Sequence, residues 1–140
     1  ADDFTSGYFR PVITDDSIDA QGVRRVLMCS GKVTWDLFAG RQKAGRDDVA
    51  IVRLERLYPL PVDEIRAALE QYPDDAEFVW VQEEPFNQGA WQYISVNLSP
   101  ELGGRDLNCV SRPPSASPAT GSHKAHEAEQ AQIVSEALGG

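Results

Sequence analysis

A chain of 140 residues, 41% hydrophobic and 25% charged, is long enough for one domain that buries about two-thirds of its unfolded surface, and this composition excludes wholesale disorder. Its formal net charge of −9 argues against non-specific binding to nucleic acid or to an anionic membrane, both of which need a basic field. No apolar run approaches the roughly 20 residues of a membrane span.

Residues 1–22, opening "ADDFTSGYFRPVITDD", read as a polar, extended lead-in or linker from a preceding domain. They lack the basic-then-apolar order of a signal peptide, and a cytoplasmic protein is expected. The missing initiator Met fits a piece of a longer chain or a processed product. The folded domain is expected over residues 23–140.

The first apolar run, "VRRVLMCS" at residues 23–30, precedes "GKVTWDLFAGRQKAG". There Val33, Leu37, Phe38 and Arg41 recur at helical spacing, and Gly45 stands where a helix stops. The second run, residues 48–57, leads through "YPLP" into "VDEIRAALEQY". Pro61 is expected just inside that helix, with Ile65, Leu69 and Tyr72 as its buried stripe. The third run, "EFVWVQEE" at residues 77–84, precedes "QGAWQYISVNLSPEL". Asn87 is the expected cap of a helix beginning near Gln88, with Trp91, Ile94, Val96 and Leu98 apolar and Trp91 largely buried. The fourth run, residues 106–112, enters "PPSASPATGSHK". A last helix over about residues 124–138 carries Ala128, Ala131, Ile133, Val134, Ala137 and Leu138.

Four alternations of strand and helix predict an α/β, three-layer fold with a mostly parallel sheet and helices on both faces. A strand order of 2-1-3-4 makes the loops after the first and third strands neighbours. Ligands of such sheets bind outside the carboxyl ends of the strands, so the loops there are where function is sought.

"SGKV" at residues 30–33 is a truncated phosphate loop. A complete one needs GxxxxGK followed by Ser or Thr, and Val33 replaces the hydroxyl that would hold magnesium. Nucleotide hydrolysis is strongly disfavoured. A modest anion site using Lys32 and the helix N-terminus remains open, as does a plain tight turn. His123 and His126, followed by Glu127, lack a third ligand and suit an exposed or capping pair better than a metal site. Cys29 and Cys109 sit in apolar runs far apart, which favours buried reduced thiols over a disulfide or metal. No Ser lies in a GxSxG context. Trp80, Trp91 and Tyr93 read as core and interface aromatics rather than a base-stacking platform.

The adjacent acids Glu83 and Glu84 face opposite sides of a continuing strand, which disfavours a matched acid–base dyad. One is expected to turn inward, accepting backbone N–H groups or meeting an arginine such as Arg112. The other faces solvent or a partner.

Taken together, "CSGKV…DL", "VAIVRLERLYPLP", "WVQEEPFNQGAW" and "SRPPSASPATGSHKAH" resemble the C-terminal domain of the thiamine diphosphate-dependent component of 2-oxoglutarate dehydrogenase. "GSHKAHEAEQ" resembles actinobacterial members, which are similar to multifunctional 2-oxoglutarate decarboxylases. The resemblance implies a transketolase-like C-terminal domain. It implies that thiamine diphosphate and Mg2+ are held by a GDG…NN motif in an earlier domain. This chain has neither, so alone it is expected to bind no cofactor and to decarboxylate nothing. The complete enzyme would release carbon dioxide from 2-oxoglutarate and pass the succinyl-level unit to a lipoyl-bearing acyltransferase component or another acceptor, within the tricarboxylic acid cycle.

The implied role of this domain is to build a homodimer, brace the catalytic domains and, in some members, hold an acyl-CoA or adenine-nucleotide effector. Candidate effector or anion residues are Ser30, Gly31 and Lys32, with Arg112 or Arg10. Glu83, Glu84, Asn87, Gln88, Gly89 and Trp91 are candidates for a structural loop or interface. Two rival expectations are the equivalent domain of a pyruvate or branched-chain enzyme and a stand-alone effector-binding or docking module.

Overall fold

The strands at the centre of the molecule are continuous apolar runs, as strands covered on both faces must be. The computed structural model describes residues 10–112 and 123–139. In chain order the elements are β1 (Val12–Ile13), β2 (Arg25–Cys29), α1 (Val33–Ala44), β3 (Val49–Leu54), α2 (Val62–Leu69), β4 (Glu77–Pro85), α3 (Trp91–Leu98), β5 (Leu107–Arg112) and α4 (His123–Leu138). Short 3-10 turns lie at Ala20–Gly22 and Ser99–Leu102.

The sheet order is β1-β3-β2-β4-β5. β2 to β5 are parallel, with Leu27 opposite both Ile51 and Val79, so the four runs are ordered 2-1-3-4, the order under which the loops after the first and third runs are neighbours. Alternation divides the strands between two cores. Val26, Met28, Val52, Phe78 and Trp80 face Ile65 and Leu69 of α2 and Ile94 and Leu98 of α3. Leu27, Cys29, Ile51, Val79 and Val81 face Val33 and Leu37 of α1 and Ile133, Ala137 and Leu138 of α4. The result is the expected three-layer α/β architecture. No helix among the described residues is long and apolar enough to cross a membrane.

The lead-in takes part in the fold. Val12 and Ile13 pair antiparallel with Leu54 and Arg53 of β3. The Asp15 carboxylate is buried, accepts from the Ile51 N–H at 3.1 Å, and pairs with the buried Arg41 guanidinium of α1. Arg41 also donates to the Val49 carbonyl at 2.9 Å. A polar stretch joins the sheet because its one inward acid finds a buried cation and a backbone donor, which periodicity does not reveal.

Three local expectations are corrected. Pro61 is the residue before α2, not inside it. Asn87 is exposed and caps nothing; α3 begins at Trp91 behind Ala90 and has no side-chain cap. The delay follows from a turn in which the Gln88 N–H donates to the Pro85 carbonyl at 2.9 Å and Gly89 takes φ +70°, a conformation that favours glycine. Trp91 is partly rather than largely buried, and Val96 is 70% exposed. The inward stripe of α3 is therefore Trp91, Ile94 and Leu98. On α4, Ala128 and Ala131 are exposed, whereas Ile133, Ala137 and Leu138 are buried. Gly45 ends α1 in the left-handed conformation, as expected. Residues 113–122, including "SASPATG", lie outside the described residues.

Candidate functional site

Three of the four strand-to-helix corners at the carboxyl edge are described. After β2, Gly31 has φ +78°, and its carbonyl accepts from the Thr34 N–H at 3.2 Å. Gly31 and Lys32 are exposed and Ser30 is half-buried. Lys32 stands at the cap position of α1 without a side-chain cap bond. Beneath it, the Cys29 thiol lies 3.3 Å from Thr34 Oγ1. Burial pushes that thiol up to about 11, so it remains protonated and is no nucleophile at neutral pH.

After β4, the two glutamates diverge as alternation requires. Glu83 turns toward the α1/α4 layer, where its Oε1 accepts from Gln130 Nε2 at 2.7 Å. The same amide donates to Asp36 Oδ2 of α1 at 2.9 Å. Glu84 is exposed. The inward acid thus meets a neutral amide, not backbone N–H groups and not Arg112. Asp36 carries a charge of the same sign as Glu83, and Gln130 satisfies both without adding charge. Arg112 instead stands 3.4 Å from Glu129 and donates to His126 Nδ1 at 2.9 Å, tying β5 to α4.

The residue that organises this corner is Gln82, which the sequence analysis did not single out. Only 3% exposed, it accepts at Oε1 from Trp80 Nε1 at 2.9 Å and from the Trp91 N–H at 3.0 Å. Its Nε2 donates to the carbonyls of Glu84 (3.3 Å), Pro85 (3.0 Å) and Gln88 (2.7 Å). One signal was available: Gln82 shares the inward face of Trp80, where a buried polar group needs partners. Gly89 packs directly on this amide. A Cβ at Gly89 would stand 3.1 Å from Gln82 Nε2 and 3.0 Å from the Glu84 Cβ.

The fold brings the corner at residues 30–32 beside the corner at residues 82–89, because β2 and β4 are neighbours. Arg112 lies one strand further on. Arg10, exposed, precedes β1 at the opposite edge of the sheet. Four strand spacings, roughly 19 Å, separate the Arg10 and Arg112 edges, so one small anion does not reach both. A cavity of about 300 Å3 between β5 and α4 is lined by Phe86, Cys109, Arg112, Glu129 and Ile133, with none of residues 30–32. Burial pushes the Cys109 thiol there up to about 11.

Thiamine diphosphate needs donors for a diphosphate-bound metal ion. No group of three His, Cys, Asp or Glu side chains among the described residues is arranged for a metal, and the sequence has no GDG or NN. Among the described residues no donor set fits that cofactor's metal, and no catalytic step is assigned to them.

The family model described as 2-oxoglutarate dehydrogenase C-terminal matches residues 1–138. The chain is 43% identical over 139 residues to the 2-oxoglutarate dehydrogenase E1 component of Haemophilus influenzae, covering 98% of this chain and 15% of that protein. It is 42% identical over 144 residues to the multifunctional 2-oxoglutarate metabolism enzyme of Mycolicibacterium vanbaalenii, covering 98% of this chain and 12% of that protein. A further E1 component, from Cupriavidus necator, is 42% identical over 141 residues, covering 97% of this chain and 14% of that protein. These identities do not separate the two kinds of relative, and the chain spans about one-seventh of their length. The match across residues 1–138 and the identities above 40% show that the chain belongs to the 2-oxoglutarate dehydrogenase C-terminal family.

Proposed function

We propose that this chain is the C-terminal, non-catalytic region of a longer enzyme that decarboxylates 2-oxoglutarate with thiamine diphosphate and Mg2+ bound by its other domains. The succinyl-level unit passes to a lipoyl-bearing acyltransferase component or another acceptor in the tricarboxylic acid cycle. The region supports assembly of a cytoplasmic homodimer. The observation that carries this reading is the family match across residues 1–138 in relatives about seven times longer. The carboxyl edge supports it from the other side. Where open α/β sheets hold reactive groups, this one holds Gln82 and Glu83 engaged in joining elements.

The test is carbon dioxide release from 2-oxoglutarate in the presence of thiamine diphosphate and Mg2+. The full-length enzyme is expected to turn over and residues 1–140 alone are not. An inactive full-length enzyme, or turnover by this region alone, overturns the proposal.

Effector binding belongs to the same reading. The backbone N–H groups at the start of α1 and the exposed Lys32 side chain suit a phosphate of an acyl-CoA or an adenine nucleotide. Arg112, already held by Glu129 and His126, is the secondary candidate. Titrating acetyl-CoA into the full-length enzyme and its Lys32→Ala variant is expected to show about tenfold weaker binding for the variant, the loss of one charge-assisted hydrogen bond of about 1.4 kcal/mol. Equal affinities remove Lys32 from the site.

A further inference from the structure

We propose that the outer face of α3, with Tyr58 and Phe86 beside it, is the surface on which the preceding part of the same polypeptide docks. The proposal rests on the reading of this chain as the C-terminal region of a longer enzyme.

α3 lacks a charged outer face: its exposed positions are Gln92, Val96 and Asn97. Residues 85–100, "PFNQGAWQYISVNLSP", form the longest run in the chain without Asp, Glu, Lys or Arg. At 25% charged, sixteen average positions would hold about four charges. Ile94 and Leu98 fill the core on the inner side. On the outer side Val96 is 70% exposed, one turn from Tyr93. The Tyr93 ring lies 4.3 Å from that of Tyr58, itself 63% exposed. At the start of the helix, Phe86 is 46% exposed, with its ring 6.1 Å from Trp91. Exposed apolar groups, rich in aromatics and set in a run without charge, mark a protein interface rather than a solvated face.

The route of the chain selects the occupant. β1 runs antiparallel to β3, so Val12 stands opposite Leu54 at the carboxyl end of that strand. The Pro11 carbonyl accepts from the Glu55 N–H at 2.8 Å. The polypeptide therefore joins the domain at the carboxyl edge, beside residues 55–60, which carry Tyr58. Val12 packs against the same core as α2 and α3, on the side of the sheet where the patch lies. About six-sevenths of each relative lies outside the matched region, and the family description places that region at the C-terminal end. A large preceding domain consequently arrives at this edge and on this layer. The charge-free surface suits an apolar contact bordered by amides such as Gln92 and Asn97.

The test is hydroxyl-radical footprinting of the full-length enzyme, read at Tyr58 and Phe86 and compared with the same residues in the guanidinium-unfolded chain. Docking is expected to slow modification at least fivefold at both. The exposures in the isolated region correspond to about twofold slowing, and a twofold result overturns the proposal. A second variant, Val96→Arg, alters an exposed position and leaves the domain core intact. It is expected to raise protease cleavage of the segment preceding Arg10 at least tenfold in the full-length enzyme. Cleavage unchanged from wild type overturns the proposal as well. Crosslinking from Val96→Cys in mixed isotope-labelled oligomers distinguishes a second copy: crosslinks within one chain support docking, and crosslinks confined to pairs of chains overturn it. Turnover of 2-oxoglutarate is measured on the same wild-type sample. An active but unprotected enzyme sinks the docking surface alone, and a protected but inactive one sinks the enzymatic reading alone.

Discussion

A carboxamide offers one acceptor and two donors on a single planar group, and Gln82 uses all of them within one corner. Its oxygen satisfies the indole N–H of Trp80 and the backbone N–H of Trp91, and its nitrogen faces three carbonyls. A glutamate could accept from the first pair but would set its charge against the three carbonyls. Gln82→Leu leaves a buried indole donor and several carbonyls unsatisfied, and each buried unsatisfied group costs about 1–3 kcal/mol. Urea denaturation is therefore expected to show a loss of about 3 kcal/mol or more for Gln82→Leu, and a loss within about 0.5 kcal/mol for the exposed Glu84→Ala. Equal losses would mean that the corner is held by something other than Gln82. The sequence made the divergence of Glu83 and Glu84 legible, because alternation is a local rule. It did not make Gln82 legible, because its partners reach nine residues ahead through a turn whose geometry depends on Gly89.

Among the elements, β1 shows how a short polar segment is fixed by one buried pair. Burial works to raise the Asp15 carboxyl. The Arg41 guanidinium, the Ser17 hydroxyl and N–H, and the Ile51 N–H together outweigh it and hold the carboxyl below its ordinary value of 3.8. A depressed carboxyl contributes stability that is fully present above the unfolded value and is lost as pH falls through the folded value. The urea midpoint is thus expected to decline as the solution is acidified below about pH 4. Asp15→Asn should flatten that decline while costing about 3–5 kcal/mol at neutral pH, the range for breaking a buried ion pair. A variant whose acid limb matches wild type would mean that another carboxylate governs it. α1 and α4 meet by a different device. A Cβ at Gly40 would run into Val134 Cγ1, so a glycine in mid-helix, normally a cost of about 1 kcal/mol, is what lets the two helices approach. Periodicity marked Val134 as apolar on α4 but could not reveal that its partner is an absence of side chain on α1. At the carboxyl end of α4, Arg25 of β2 donates to the carbonyls of Glu136 and Ala137 at 3.1 and 3.0 Å. The helix terminus therefore rests on the sheet.

At the scale of the molecule, two apolar cores lie on either side of one sheet, and the carboxyl edge between them gathers the corners that resemble the family's motifs. The topology makes residues 30–32 neighbours of residues 82–89 and sends Arg10 and Arg112 to opposite edges. That separation means one small anion does not meet both arginines, and the acetyl-CoA titration examines the proposed role of Lys32. The exposed Tyr58, Phe86 and Val96 are the residues on which the proposed docking surface rests.

The sequence by itself determined the α/β class, the left-handed stop at Gly45 and the family, whereas the order of the parallel strands came from the structure. The first three are written in local patterns: alternating apolar runs, helical stripes, a glycine after a periodic segment and characteristic corner motifs. Only the tertiary structure decided that the lead-in becomes a strand, that Gln82 and not the glutamates holds the third corner, and that Trp91 and Val96 sit partly or largely in solvent. Those features depend on which buried polar group finds a partner across the fold and on which helix face has a layer above it. Neither is a property of a window of adjacent residues. The charge-free run at residues 85–100 was visible in the sequence throughout, but its outward half became a surface only once the sheet had claimed the inward half.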